Sequence, residues 1–244
     1  MITTIQNKQI KQIMKLKKNA RERRKQQLFL VEGIRMFTEI PEQYLYKVYA
    51  SEDFYKEHQA VFEGMEVELV SDQVMKEISD TMTPQGVLAL VRMLEYSLED
   101  LLQQENPLLL VLENLQDPGN LGTILRTGEG AGINGIIMSR ETVDIYNPKV
   151  TRSTMGSIFR VPFVYVDDLF EVIKMMKDRN MSANEAKRDW ERLRDYSIWN
   201  LVNVKDGKIV AKNEANKDII ERYIPTLSSR VRSMVQICDG ALNE

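Results

Sequence analysis

The run Leu108-Leu109-Leu110-Val111-Leu112 is apolar without interruption and passes directly into the turn-rich stretch Glu113–Gly122. A strand with one solvated face would carry a polar residue at every second position, so an unbroken run points to a parallel strand covered on both sides. Leu121, Ile124, Leu125 and Ala131 then recur at helical spacing, and Gly135-Ile136-Ile137-Met138 reads as a second strand. A loop with Asp144, Asn147 and Pro148 leads into another helix, and Phe159 to Val166 reads as a third strand. Strand, helix, strand, helix, strand implies βαβ crossovers and an α/β fold with a parallel sheet. Ligands of such sheets bind beyond the carboxyl ends of the strands, which is where Glu113–Gly122 and Asp144–Lys149 fall.

A smaller α/β unit precedes this one. Leu28-Phe29-Leu30-Val31 reads as a buried strand, followed by Glu32-Gly33 and a helix-like stretch from Ile34 to about Glu39 that Pro41 stops. Val48-Tyr49-Ala50, Val67-Glu68-Leu69-Val70 and Val87-Leu88-Ala89-Leu90-Val91 read as further strands, and Ser71 or Asp72 can cap a helix through Val74, Met75 and Ile78. The chain thus divides into residues 1–94 with a basic arm, an acidic linker with a short helix at 95–106, a parallel-sheet core at 107–177, and a segment of different character at 178–244. In that last segment a charged helix is expected at 178–195. Leu201–Val204 and Ile209–Ala211 around Asp206-Gly207 read as a hairpin with a type I′ turn, and two helices separated by Pro225 follow.

Composition narrows the function classes. With 43% apolar and 28% charged residues over 244 positions, the chain can bury a core. No run approaches the ~18 apolar residues of a membrane span, and Met1–Lys8 has no apolar signal-peptide core. A single cysteine, Cys238, excludes an internal disulfide framework and a Cys-based zinc cage. A single histidine, His58, argues against a Ser-His-Asp hydrolase and a His-rich metal site. The expectation is a cytoplasmic protein without a metal.

The net charge of −3 hides an asymmetry: residues 1–25 carry nine Lys and Arg against Glu22 alone, so +8 sits on the arm and −11 on the rest. Lys8, Lys11, Lys15, Lys18, Arg21 and Lys25 advance by three or four, which on one helix makes a single stripe with Ile10, Ile13 and Met14 beside it. A block of like charge on an acidic chain suggests a polyanion, and Lys15, Lys18, Arg21, Arg23 and Arg24 are candidates for RNA phosphate. No aromatic residue interrupts residues 1–28, so the arm is expected to hold backbone rather than stack on bases.

Glycines cluster in the centre, yet no Gly-Lys-Ser/Thr follows that would make a Walker loop. Gly128, Gly130 and Gly132 fall at a helix end, not at the strand-to-helix turn of a dinucleotide fold, and read as helix termination and close packing. Two other clusters are more specific. Asn114, Asp117, Pro118, Asn120, Gly122 and Arg126 surround the carboxyl end of a buried strand. Asn147-Pro148-Lys149 with Arg152-Ser153 places two cations in the first turn of a helix, where they oppose the helix dipole unless an anion binds or a carboxylate pairs with them.

These clusters resemble the SpoU/TrmH class of trefoil-knot (SPOUT) RNA methyltransferases. That class carries Asn-x-x-Asp-Pro-x-Asn-x-Gly-x-x-x-Arg after a strand, matched in full by Asn114 to Arg126, and a second stretch like Asn147–Ser157 running into Arg160-Val161-Pro162. Residues 1–93, with Phe29-Leu30-Val31-Glu32-Gly33, resemble its N-terminal substrate-binding domain, which has a ribosomal-protein-like α/β fold. The resemblance implies methyl transfer from S-adenosylmethionine to a ribose 2′-hydroxyl of RNA, ribosomal RNA foremost, by a homodimer. Arg126 matches the class's proposed activating base, although a guanidinium holds its proton tightly and serves equally to stabilise a developing alkoxide. Asn114 is assigned to the ribose or the active loop; Asp117, Asn120 and Gly122 to the loop itself; and Lys149, Arg152 and Ser153 to RNA.

The class also carries a Gly-Asn-Glu-Gly-like loop, an Ile-Pro-Met stretch and a Ser-Leu-Asn helix start, which form the knot and wrap the cofactor. None is recognisable here, and after Gly156 only Gly207 and Gly240 remain. The cofactor-binding residues are therefore unassigned. Three readings stay open on the sequence: an active methyltransferase, an RNA-binding protein on the same scaffold without the catalytic step, and a chimeric or truncated family member.

Overall fold

The computed structural model describes residues 1–105 and 107–179, together with the backbone of two short strands at 202–205 and 208–211. The expected charged helix at 178–195, the residues of the hairpin turn and the two helices around Pro225 lie outside the described residues.

The chain begins with α1 (Lys8–Lys18) and α2 (Ala20–Gln26), then β1 (Leu28–Glu32), α3 (Ile34–Phe37), β2 (Leu45–Ser51), α4 (Glu52–Glu57), β3 (Val67–Val70), α5 (Asp72–Ile78) and β4 (Val87–Arg92). The four strands form one sheet in the order β1-β4-β2-β3, antiparallel except for the β2–β3 pair. Ile2 extends it at the β3 edge, donating to the Leu69 carbonyl at 2.7 Å and accepting from the Ser71 amide at 2.9 Å. Both faces are covered, which explains why β1 and β4 read as continuous apolar runs. Leu28, Leu30, Leu88 and Leu90 meet Ile10, Ile13 and Leu16 of α1 and Val74 and Ile78 of α5. Phe29, Val31, Ala89 and Val91 face the other way, into a core that the second unit shares.

The basic arm is not one helix. Asn19 adopts an extended backbone at φ −130° and its side chain accepts from the amides of Arg21 at 2.8 Å and Glu22 at 3.4 Å, starting α2 afresh. An asparagine that offers its own oxygen to two amides competes with helix continuation. Lys8, Lys11, Lys15 and Lys18 still form an exposed stripe on α1, and Arg21, Arg24 and Lys25 are exposed on α2. Arg23 departs from the expected phosphate-binding role. Its side chain is 3% exposed and pairs with Asp144, at 3.0 Å from Nε and 2.5 Å from Nη2, while Nη1 donates to the Leu16 carbonyl at 2.7 Å.

The second unit comprises α6 (Leu98–Leu102), β5 (Leu109–Leu112), α7 (Pro118–Gly130), β6 (Gly135–Ser139), α8 (Pro148–Thr154), β7 (Phe163–Val166) and α9 (Leu169–Asp178). Its three strands are parallel in the order β5-β6-β7, with Leu110 opposite Ile136 and Ile136 opposite Phe163. The expected third strand starts late: Ser157–Phe159 is a 3₁₀ turn, closed by the Phe159 amide on the Gly156 carbonyl, and extended pairing begins after Pro162. The linker is a packed element. Ser97 and Asp100 cap α6 reciprocally, and Leu101 is buried with Ile137, Val164 and Val172 against the far face of the sheet. Further along, β8 (Val202–Lys205) and β9 (Lys208–Ala211) pair antiparallel, as the hairpin reading expects. Among the described residues no helix is long and apolar enough to cross a membrane.

The two units meet in a common core. The rings of Phe29 and Tyr146 lie 4.7 Å apart, and the Tyr146 hydroxyl donates to the Leu94 carbonyl and accepts from the Leu94 amide, both at 2.9 Å. Burial raises the pKa of this phenol, so it stays a neutral donor and acceptor. Arg23→Ala leaves Asp144 without its cation at the junction. We expect a loss of about 3–5 kcal/mol, nearer the lower figure because the Asp144 side chain keeps 22% exposure; denaturant unfolding of both proteins measures it.

Candidate functional site

The site forms where β5 and β6 end. Asn114 follows β5 with φ +50°, a left-handed conformation that asparagine tolerates better than most residues. Its amide donates to Ser139 Oγ at 2.9 Å, fastening the loop to the end of β6. Its side-chain oxygen accepts from Gln116 Nε2 at 2.7 Å, and the same nitrogen lies 2.5 Å from the Glu141 carbonyl. Leu115 joins the neighbouring loop, its carbonyl accepting from the Val143 amide at 2.8 Å. Asp117 caps α7, its Oδ1 2.6 Å from the Asn120 amide, and Pro118 occupies the first helical position. An acceptor oxygen at the cap and a proline where no amide donor is needed make a well-defined helix start.

Gly122 sets the approach of α7 to α8. A Cβ there would lie 1.8 Å from Ser153 Oγ, 2.7 Å from Ser153 Cβ and 2.9 Å from its backbone carbon. Ser153 is therefore a packing residue: it is half-buried and its hydroxyl lies 2.8 Å from the Val150 carbonyl, in place of the expected RNA contact. On α8, Asn147 caps the first turn by accepting from the Lys149 amide at 2.9 Å, and the Lys149 side chain is exposed. Arg152 instead pairs with Asp80 of the first unit at 3.1 Å, the carboxylate partner that the sequence left open.

Arg126 is exposed on α7, one turn beyond Gly122, and among the described residues it forms no ion pair. The next charged residue on that helix, Glu129, was not singled out from sequence. It accepts from Ser157 Oγ at 2.5 Å and pairs with Arg160, which also bridges to Glu39 of the first unit. The Arg160 guanidinium holds the Glu129 carboxyl below the usual carboxylate range and is itself raised by it. Gln116 was missed as well, because it occupies an unspecified position of the motif and its only signal is proximity to Asn114. Loop 143–145 is clamped by Tyr165, which donates to the Val143 carbonyl at 2.7 Å and accepts from the Ile145 amide at 2.9 Å. Burial raises the pKa of the Tyr165 phenol, with the Asp144 carboxylate adding to it. No group of His, Cys, Asp and Glu that could hold a metal occurs among the described residues.

Together these features place the exposed cations Arg126 and Lys149, an asparagine with left-handed backbone and a capped helix start near the carboxyl ends of a parallel sheet. Such an arrangement suits a polyanionic substrate whose reacting oxygen develops negative charge.

Comparison with known proteins matches both units. Residues 7–89 match the MRM3-like substrate binding domain, and residues 107–210 match the SpoU rRNA Methylase family. The 23S rRNA (guanosine(2553)-2'-O)-methyltransferase RlmP of Bacillus subtilis is 30% identical over 175 residues, covering 69% of this chain and 68% of that protein. The mitochondrial rRNA methyltransferase 3 of Homo sapiens is 32% identical over 171 residues, 65% of this chain but 40% of its own length. Among solved structures, the AdoMet-bound rRNA methyltransferase of Sinorhizobium meliloti superposes with a TM-score of 0.63 at 27% identity, covering 72% of this chain and 67% of that one.

The close approach at Gly122 gives a direct check. Gly122→Ala should cost about 1–3 kcal/mol in denaturant unfolding, and adding Ser153→Gly, which removes two of the three contacts, should recover part of the loss.

Proposed function

The chain belongs to the SpoU rRNA methylase family, and on that premise we propose that it transfers a methyl group to a ribose 2′-hydroxyl of ribosomal RNA. The observation that carries the reading is the complete motif from Asn114 to Arg126, folded as a capped loop at the carboxyl end of β5 with Arg126 exposed and unpaired among the described residues. S-adenosylmethionine is the methyl donor we assign, and when bound it supplies a methyl carbon on positively charged sulfur. The described residues fit the acceptor half of this chemistry. Asn114 and Asp117 are engaged by the loop's own Gln116 and Asn120, and no cradle for an adenosyl group is assigned among them.

On the acceptor side the roles divide by exposure. Arg126 stabilises the negative charge that grows on the 2′ oxygen as its proton passes to solvent or an RNA phosphate; a guanidinium does this while keeping its own proton. Asn114, oriented by Gln116, offers its remaining amide hydrogens to the ribose. Lys149, Arg21, Arg24 and, on α1, Lys8, Lys11, Lys15 and Lys18 are open to phosphates, whereas Arg152 reaches one only by leaving Asp80. The relatives named for methyl transfer support an enzyme over a protein that only binds RNA. We further propose a homodimer as the working assembly.

The test is transfer of labelled methyl to ribosomal RNA by the intact chain. Arg126→Ala should lower the rate by about 10²–10³-fold with RNA affinity unchanged. RNA binding without any transfer by the wild-type chain would favour the binding-only reading. The arm has its own signature: replacing Lys15 and Lys18 by Ala should lower the slope of log affinity against log salt by about 1.4–1.8, whatever the RNA sequence.

A further inference from the structure

We propose that Arg23 and Asp144 are a positioning pair that sets the basic arm in register with the active loop, an inference that rests on the reading of the chain as an RNA methyltransferase. Arg21, Arg24 and Lys25 on α2 are exposed, whereas Arg23 between them is turned inward and hydrogen-bonded through all three of its nitrogens. Its Nη1 holds the carbonyl of Leu16 near the end of α1, and its Nε and Nη2 both reach Asp144 Oδ2. One guanidinium therefore ties both arm helices to the loop that follows β6.

From Asp144 the connection continues into the active loop through a chain of hydrogen bonds. Its other oxygen accepts from the Tyr146 amide at 3.1 Å, and the flanking residues 143 and 145 are fixed by the Tyr165 phenol. The Val143 amide then donates to the Leu115 carbonyl, next to Asn114. A buried charge that loses its partner pays a desolvation penalty, so the arm and loop 143–146 cannot move independently at low cost. A hydrophobic pair of similar volume would hold the units together equally well, and what the ion pair adds is directional fixing of α2 relative to the loop. An RNA seated on α2 is thereby placed at a defined distance from Asn114. Neither residue touches the reacting atoms; both act through the loop.

The experiment uses the intact chain with Asp144→Asn and, because that variant leaves Arg23 without its counter-charge, also Arg23→Lys, which keeps the cation and loses the fork. Ribosomal RNA is the probe, and each variant is compared with the wild type in thermal midpoint, RNA affinity, single-turnover methylation at saturating RNA, and amide exchange of residues 113–117 with and without RNA. The expected result is RNA affinity within about threefold, a single-turnover rate reduced at least tenfold in Asp144→Asn and less in Arg23→Lys, and loss of the RNA-induced protection at 113–117. An unchanged rate and protection in folded variants overturns the proposal, as does a rate that falls only with the folded fraction. If the wild type transfers no methyl, the functional reading fails on its own, and exchange still decides the coupling: RNA that gives the wild type no protection at 113–117 also overturns it.

Discussion

Burial of β1 on both faces is the constraint from which the arrangement of the molecule follows. A five-residue strand with Leu28 and Leu30 on one side and Phe29 and Val31 on the other must be covered twice. The arm helix α1 supplies one cover, through Ile10, Ile13 and Leu16. The second unit supplies much of the other, with the rings of Tyr146 and Phe159 tilted against Phe29. The basic arm, the first sheet and the parallel sheet are therefore successive layers around one strand, not modules on a tether. An apolar core shared in this way resists relative rotation more than a polar domain interface does, since any shift exposes packed side chains to water.

That layering places the chemistry. With β5, β6 and β7 parallel, all their carboxyl ends lie on one edge, and the loops after β5 and β6 become neighbours joined by the Val143–Leu115 and Asn114–Ser139 bonds. The same loop after β6 carries Asp144 back to the arm. Close helix approach at Gly122 then brings α8, with exposed Lys149, beside the start of α7. Each feature is local in origin, whether a cap, a glycine or a tight turn, and their convergence comes from the topology.

Sequence carried the parts whose signal is local. The apolar runs of β1, β4, β5 and β6 fall where their pattern predicts, because burial on both faces is readable within a few positions, whereas α7 starts at Pro118, inside the stretch to Gly122 that the glycines and proline mark as a loop. The first sheet's order could not be read, since β4 inserts between β1 and β2 from far along the chain. Charge was legible as a count and not as a set of partners. Arg23 sits within a basic run like its neighbours, and nothing near it in sequence announces Asp144, 121 residues away. Arg152 and Asp80 pose the same problem across 72 residues. The break at Asn19 was within reach, because an asparagine followed by a helical stretch is a capping signal, but the regular spacing of lysines through it pointed to one helix.

The distribution of charge separates structural from available cations. The arm carries +8 against −11 elsewhere, so indiscriminate pairing could have neutralised most of it. Instead Arg23 is fully committed to the fold, and Lys17 donates to the Glu77 and Ser79 carbonyls at the end of α5. Lys15 and Lys18 remain exposed on α1, which Ile10, Ile13 and Leu16 anchor by packing, and Arg21 and Arg24 remain exposed on α2, which Arg23 ties down. Mutual repulsion among them is tolerated because burial of the apolar face offsets it, and screening at physiological salt weakens it over a Debye length of about 8 Å. A polyanion seated on the arm would relieve that repulsion further, so the charge that strains the free protein is the same charge such a ligand would neutralise.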